Sequence, residues 1–168
     1  MKRDGRNMTD SYSTSTVLRS ELEDFYARYA EAIDQKRPNE WLSFFTEEGV
    51  NAAGTHNNIS TTGMWWYVDR GTVSLKERAA YTNGYHWQNP AKTLHVITNI
   101  RGHEGDDSVI SASAYFVMFV ADRSQESQLH VCGRYEDRLV REHDRLLFLE
   151  HRVVIDAETV PQNMGVLL

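Results

Sequence analysis

The chain has 168 residues, 40% of them hydrophobic and 25% charged, which suits one folded domain with a substantial core. A formal net charge of −6 gives no concentrated basic face for nucleic acid or an anionic membrane, and no apolar run approaches the roughly 20 residues that span a bilayer, so a cytoplasmic protein is expected. The single cysteine, Cys132, excludes an internal disulfide and any cluster held by several thiolates.

Residues 1–14 are polar and are expected to form a mobile leader to one domain over 15–168. Leu18, Leu22, Phe25, Tyr29 and Ile33 then recur at helical spacing, with Glu21, Glu23 and Asp24 favouring the start of a helix and Pro38 stopping it. A second, short helix is expected from Pro38 through Trp41, Leu42, Phe44 and Phe45, broken by Thr46-Glu47-Glu48-Gly49. Val50 to Tyr67 suggests a hairpin around a polar turn, Gly54-Thr55-His56-Asn57-Asn58. Thr72 to Tyr81 resembles a third helix, with Asn83-Gly84 as its stop.

Beyond Pro90, four runs of β-branched and aromatic residues are separated by short turn signals: Lys92 to Arg101, Val109 to Ala121, Gln128 to Val140 and Leu146 to Ile155. Connections this short require antiparallel neighbours, so the class is α+β with helices packed on one face of a sheet. In the second run, Ile110, Ala112, Ala114, Phe116, Met118 and Val120 alternate with Ser111, Ser113, Tyr115, Val117 and Phe119. The second set turns apolar toward its end, and another subunit is the economical cover for such a face.

Several motifs in order resemble the small, or beta, subunit of bacterial aromatic-ring-hydroxylating dioxygenases. They are Trp41-Leu42-Ser43-Phe44-Phe45-Thr46-Glu47-Glu48, Leu75-Lys76-Glu77-Arg78 and His95-Val96-Ile97-Thr98-Asn99, where Leu94 replaces the family's usual Arg. Cys132-Gly133-Arg134-Tyr135-Glu136-Asp137 follows, and then Val153-Val154-Ile155-Asp156 with the ending Asn163-Met164-Gly165-Val166-Leu167-Leu168. The resemblance covers roughly Leu22 to Leu168. It implies the cystatin-like cone of the nuclear-transport-factor group: three N-terminal helices on a strongly curved, mostly antiparallel sheet of about six strands. It also implies a non-catalytic, structural subunit used in aromatic compound degradation. Its partner would be a large (alpha) subunit that carries a Rieske iron–sulfur cluster and a mononuclear iron, with three copies of each chain assembled together.

The residues agree in one respect: one cysteine cannot supply the two Cys and two His of a Rieske centre, and His86, His95 and His103 lack close ligand spacing. No metal or cofactor is expected in this chain. His95 and Asn99, four apart on a strand, are expected to share a face. His95 is either an acid or base in the cone's mouth, working with Tyr29 or Asp34 as in a stand-alone lyase or isomerase, or a hydrogen-bonded structural histidine. A small-ligand-binding module is a third reading. Candidates for subunit contact are Trp65, Trp66, His95, Asn99, Arg134, Asp137, Asn163 and Leu167, with the apolar ending packed at the sheet's edge or against a neighbour.

Overall fold

The computed structural model describes residues 14–88, 91–121 and 126–157, with the side chains of 85–88 excepted. Helix α1 (Thr16–Asp34) starts where the Ser15 side chain accepts the Leu18 N–H at 3.2 Å, and its periodic stripe of Leu18, Leu22, Phe25, Tyr29 and Ile33 is buried. Helix α2 (Pro38–Leu42) takes Pro38 into its first turn, buries Trp41 and ends before Phe45, which opens strand β1 (Phe45–Thr55). The Thr46–Gly49 stretch lies inside β1 rather than in a loop, yet it does interrupt pairing, because the register slips between Phe45 and Val50. Gly49 is required at that slip: a Cβ there would sit 3.0 Å from both Phe45 Cβ and Thr46 O.

The polar centre expected as a hairpin turn is a helix, α3 (His56–Thr62), capped by the Thr55 hydroxyl and closed by Gly63 at φ 71°. Among the described residues, four helices, not three, therefore precede or interrupt the sheet. None of α3's residues is buried, so it left no apolar period to detect. Strand β2 (Tyr67–Arg70) pairs antiparallel with β1, and helix α4 (Gly71–Gln88) follows it directly. The expected stop at Asn83-Gly84 is overrun. One glycine in a helix interior costs about 1 kcal/mol against alanine, less than the continuing backbone hydrogen bonds and the packing of Leu75, Ala79 and Thr82 return.

The four strands of the meander are β3 (Lys92–Glu104), β4 (Ile110–Ala121), β5 (Gln128–Glu142) and β6 (Arg145–Ile155). They pair antiparallel in sequence, and β6 then runs parallel to β1, giving the order β2-β1-β6-β5-β4-β3. The architecture is the cystatin-like cone, with α1 and α4 on the concave face around a core of Phe25, Tyr29, Trp41, Phe116, Tyr135 and Phe148.

Strand β3 is an edge, and its outward backbone groups are met by α1 and the residues flanking it. Thr14 Oγ1 accepts from Gly102 N–H at 2.9 Å, Arg19 donates to Ile100 O at 3.5 Å, and Lys36 Nζ donates to Ala91 O at 2.6 Å. Asp34 completes the set by accepting the His95 N–H at 2.9 Å. An open strand edge is a template for unwanted pairing, and here side chains occupy it.

Candidate functional site

Two histidine–carboxylate pairs lie on the concave face. In the first, Asp34 at the C-terminus of α1 takes both the backbone N–H of His95 and its Nδ1, the latter at 2.7 Å. The His95 side chain is fully enclosed. Burial pushes the Asp34 carboxyl up, but the hydrogen bonds and charge of His95 outweigh that and hold it below its ordinary value. With Nδ1 on the carboxylate, the other ring nitrogen, Nε2, is buried and meets no hydrogen-bond partner among the described residues.

The second pair sits deeper and involves residues that sequence reasoning did not assemble. Asp137 on β5 accepts from Tyr26 Oη at 2.6 Å, pairs with His151 Nδ1 at 2.9 Å and accepts from Arg152 N–H at 3.1 Å. On the other side of the ring, His151 Nε2 lies 3.0 Å from Tyr29 Oη, which accepts from Trp41 Nε1 at 3.3 Å. With Asp137 ionised and the His151 proton on Nδ1, each of these contacts has one donor and one acceptor, running Trp41 to Tyr29 to His151 to Asp137, with Tyr26 entering from the far side. Burial raises the Tyr26 hydroxyl well above its ordinary pKa, and the charge of Asp137 adds to the effect. Burial likewise raises Tyr29, against the opposing hydrogen bond from Trp41.

The three residues expected to act together therefore separate. His95 and Asp34 meet, whereas Tyr29 belongs to the His151 pair. Asp137, expected as a contact for a partner chain's charges, has a side chain with no exposure and is committed to its own core. The only sequence trace of its role was its place on the opposite face of β5 from Arg134. Arg134 is on the outer face, where it joins Glu136 at 2.8 Å, Asp156 at 3.1 Å and His56 Nδ1 at 3.0 Å.

His95 and Asn99 do not share a face. The β3 register slips between Thr98 and Arg101, Asn99 takes φ 53°, and the inward series Thr93, His95, Ile97 resumes at Ile100, leaving Asn99 exposed. Trp65 is half-buried with the Arg152 guanidinium 5.9 Å from its ring, and Trp66 packs against the core with its indole N–H buried. Asn163 and Leu167 lie outside the described residues. Tyr67 carries the Arg78 guanidinium 3.8 Å over its ring, and Arg78 grips Asp69 through Nε at 2.8 Å and a second nitrogen at 3.3 Å, locking α4 to β2.

The outer face of the sheet carries a contiguous apolar patch. Leu94, Phe119 and Leu129 lie in register, as do Val96, Val117 and Cys132, with Tyr115 in the neighbouring row. Leu94 is 57% exposed, Val96 45%, Tyr115 54% and Leu129 60%. Among the described residues no group of three metal-ligating side chains gathers, and no helix is long and apolar enough to cross a membrane.

Residues 15–152 match the family model of the SnoaL-like domain. The small oxygenase component of the p-cumate 2,3-dioxygenase system of Pseudomonas putida is 28% identical over 150 residues, spanning 86% of this chain and 82% of that protein. A Novosphingobium aromaticivorans protein assigned as the beta subunit of an aromatic-ring-hydroxylating dioxygenase superposes with a TM-score of 0.76 at 18% identity, covering 89% of this chain and 95% of that one. ActVI-ORFA from Streptomyces coelicolor superposes with a TM-score of 0.68 at 17% identity, covering 84% and 98%. The two structural likenesses are of fold.

Proposed function

The chain belongs to the SnoaL-like domain family, and on that premise we propose that it is the structural small subunit of an aromatic-ring-hydroxylating dioxygenase. The observation that carries this reading is the match along most of the chain to the p-cumate system's small oxygenase component, a protein whose name places it in a multi-part oxygenase. The apolar patch around Val96, Tyr115 and Leu129 supports it physically, because exposed apolar area on this scale marks a surface that another chain covers. This chain's own residues do not fit the iron groups of such an enzyme. A Rieske centre needs two thiolates and the sequence has one cysteine, and among the described residues no three His or carboxylate side chains gather to hold a mononuclear iron, so both groups are assigned to a large alpha subunit.

The role assigned to this chain is to dock iron-bearing subunits in fixed order, as a trimer within a three-plus-three assembly. Affinity purification of the chain from its native cell tests this. Recovery of a larger iron–sulfur protein with it in equal amount is the expected result. Recovery of the chain alone, together with unimpaired aromatic hydroxylation in a deletion strain, overturns it.

A second reading, a stand-alone lyase or isomerase, is favoured by the enclosed His95–Asp34 pair. It is weakened by the engagement of Tyr29 with His151 and Trp41, which leaves that pair without the acid expected beside it. Turnover of a ring ketone or hydroxy ketone by the isolated chain, lost in His95→Ala, would establish it.

A further inference from the structure

The outer face of the sheet changes character along its strands. Its apolar patch occupies the end with Leu94, Val117 and Leu129, whereas the other end, where β3 finishes and β4 begins, is polar. There Ser111 stands opposite His103 on β3 and Arg138 on β5, and Ser113 stands opposite Arg101 and Glu136. Residues directly opposite share a face with Cβ atoms about 5 Å apart, and diagonal neighbours are about 7–8 Å apart, so three basic side chains surround two hydroxyls. A hollow of about 370 Å³ is lined by Arg101, His103, Ser111 and Ser113, with Thr14 and Gly102 closing its β3 side.

The charges on this face are unevenly matched. Glu136, beside Ser113, is held by Arg134 at 2.8 Å, and Glu150, beside Arg138, is held by Arg152 at 2.7 Å. Arg101, His103 and Arg138 make no hydrogen bond or ion pair among the described residues, and neither do the hydroxyls of Ser111 and Ser113. A single solvated arginine is ordinary on a protein surface. Two, gathered with a histidine around paired hydroxyls in a chain of net charge −6, leave a local positive field without a counter-charge.

The chemistry of these groups selects the ligand. A guanidinium has five N–H donors and no acceptor, a serine hydroxyl can donate, and an imidazole carries at least one N–H in either protonation state. The donors come from three strands and reach the hollow from different directions. That suits a tetrahedral oxyanion with three or four oxygens better than the two coplanar oxygens of a carboxylate. We propose that the hollow binds a phosphate group, free or as the head of a small monoester. Arg101 and Arg138 grip its oxygens from two sides, His103 donates from the β3 side, and Ser111 and Ser113 donate from the floor. No covalent bond is made or broken. The site does not rest on the subunit reading, because it lies at the opposite end of the strands from the apolar patch and is measured on this chain alone.

Calorimetric titration of the full-length chain at constant ionic strength, with inorganic phosphate, glycerol 3-phosphate and acetate, tests the site. Saturable one-to-one binding of phosphate is expected, with acetate weaker by about tenfold or more. Tighter binding of glycerol 3-phosphate identifies an ester as the ligand, and equal or weaker binding identifies the free ion. Arg101 and Arg138 are exposed, so Arg101→Gln and Arg138→Gln should each leave Tm within about 2 °C while weakening phosphate binding about tenfold. Ser111→Ala should weaken it about fivefold. Arg70→Gln removes an exposed arginine at the far edge of the sheet and should leave the affinity unchanged. Absence of saturation, acetate binding as tightly as phosphate, an equal loss in Arg70→Gln and Arg101→Gln, or unaltered affinity in a folded Arg138→Gln chain each overturns the proposal.

Discussion

Replacing Asp137 by leucine keeps the branched shape of the side chain, with bulkier methyl groups in place of the oxygens, and removes the acceptor at the centre of the buried network. Three donors lose their partner at once: Tyr26 Oη at 2.6 Å, His151 Nδ1 at 2.9 Å and the Arg152 N–H at 3.1 Å. An unsatisfied buried donor costs about 1–3 kcal/mol, so the bare sum is about 3–9 kcal/mol. Relaxation and water entry reduce that, and removing one partner of a buried pair typically costs about 3–5 kcal/mol. For a domain of this size each kcal/mol moves Tm by about 2–4 °C, so a fall of about 6–20 °C is expected. Urea denaturation of both chains gives the free-energy difference directly, from the midpoint at unchanged slope. Tyr26→Phe leaves Asp137 two of its partners and should cost only about 1–2 kcal/mol. The two substitutions should also be non-additive, because they share one hydrogen bond. A loss below about 1 kcal/mol for Asp137→Leu, or strict additivity with Tyr26→Phe, would refute the idea that this carboxylate organises the core.

The Asp34 carboxyl is held below its ordinary value in the folded chain, so its contribution is fully present above the unfolded-state pKa near 3.8 and is lost as pH falls through the lower folded value. Asp34→Asn should accordingly flatten the acid limb of the stability–pH curve, a difference that denaturation at stepped pH will read. Tyr67 is raised to about 12 by burial, against the lowering effect of the Arg78 charge above its ring. Ultraviolet titration should therefore show this phenol ionising near pH 12, and its stabilising effect should fade as pH rises through that value. Arg78→Met removes the two-nitrogen grip on Asp69 and should cost about 2–3 kcal/mol, with faster amide exchange in β2 as the local sign. Val96→Asp on the outer face should leave Tm within about 2 °C and lower the sedimentation coefficient of any assembly the chain forms; an unchanged assembly would remove that patch from the interface.

Much of the architecture is legible in order along the chain because it rests on local periodicity. The α1 stripe from Leu18 to Ile33 follows from spacing alone, and so do the strands of the meander, whose ends fall within a few residues of the apolar runs. Local signals fail where an element buries little or tolerates a poor residue. Helix α3 exposes its Asn, Ser and Thr side chains and so has the composition of a turn, and α4 passes through Gly84, where a Cβ would meet open space. The bulge at Asn99 is equally silent in sequence, yet a register slip of this kind reverses every later side chain and separates Asn99 from His95.

The sequence by itself determined the α+β class, the helix-then-meander order and the apolar half of the β4 outer face. Each follows from residue type and from periods of 3.6 or 2, which neighbours along the chain decide. Only the tertiary structure decided which polar groups meet. Tyr26 and Asp137 are 111 residues apart, Tyr29 and His151 are 122, and Asp34 reaches His95 across 61. Those distances along the chain are closed by the parallel pairing of β6 with β1 and by the crossing of α1 over β3. A buried carboxylate's partners are set by that geometry and by the cost of leaving its charge unmatched, neither of which has a local signature.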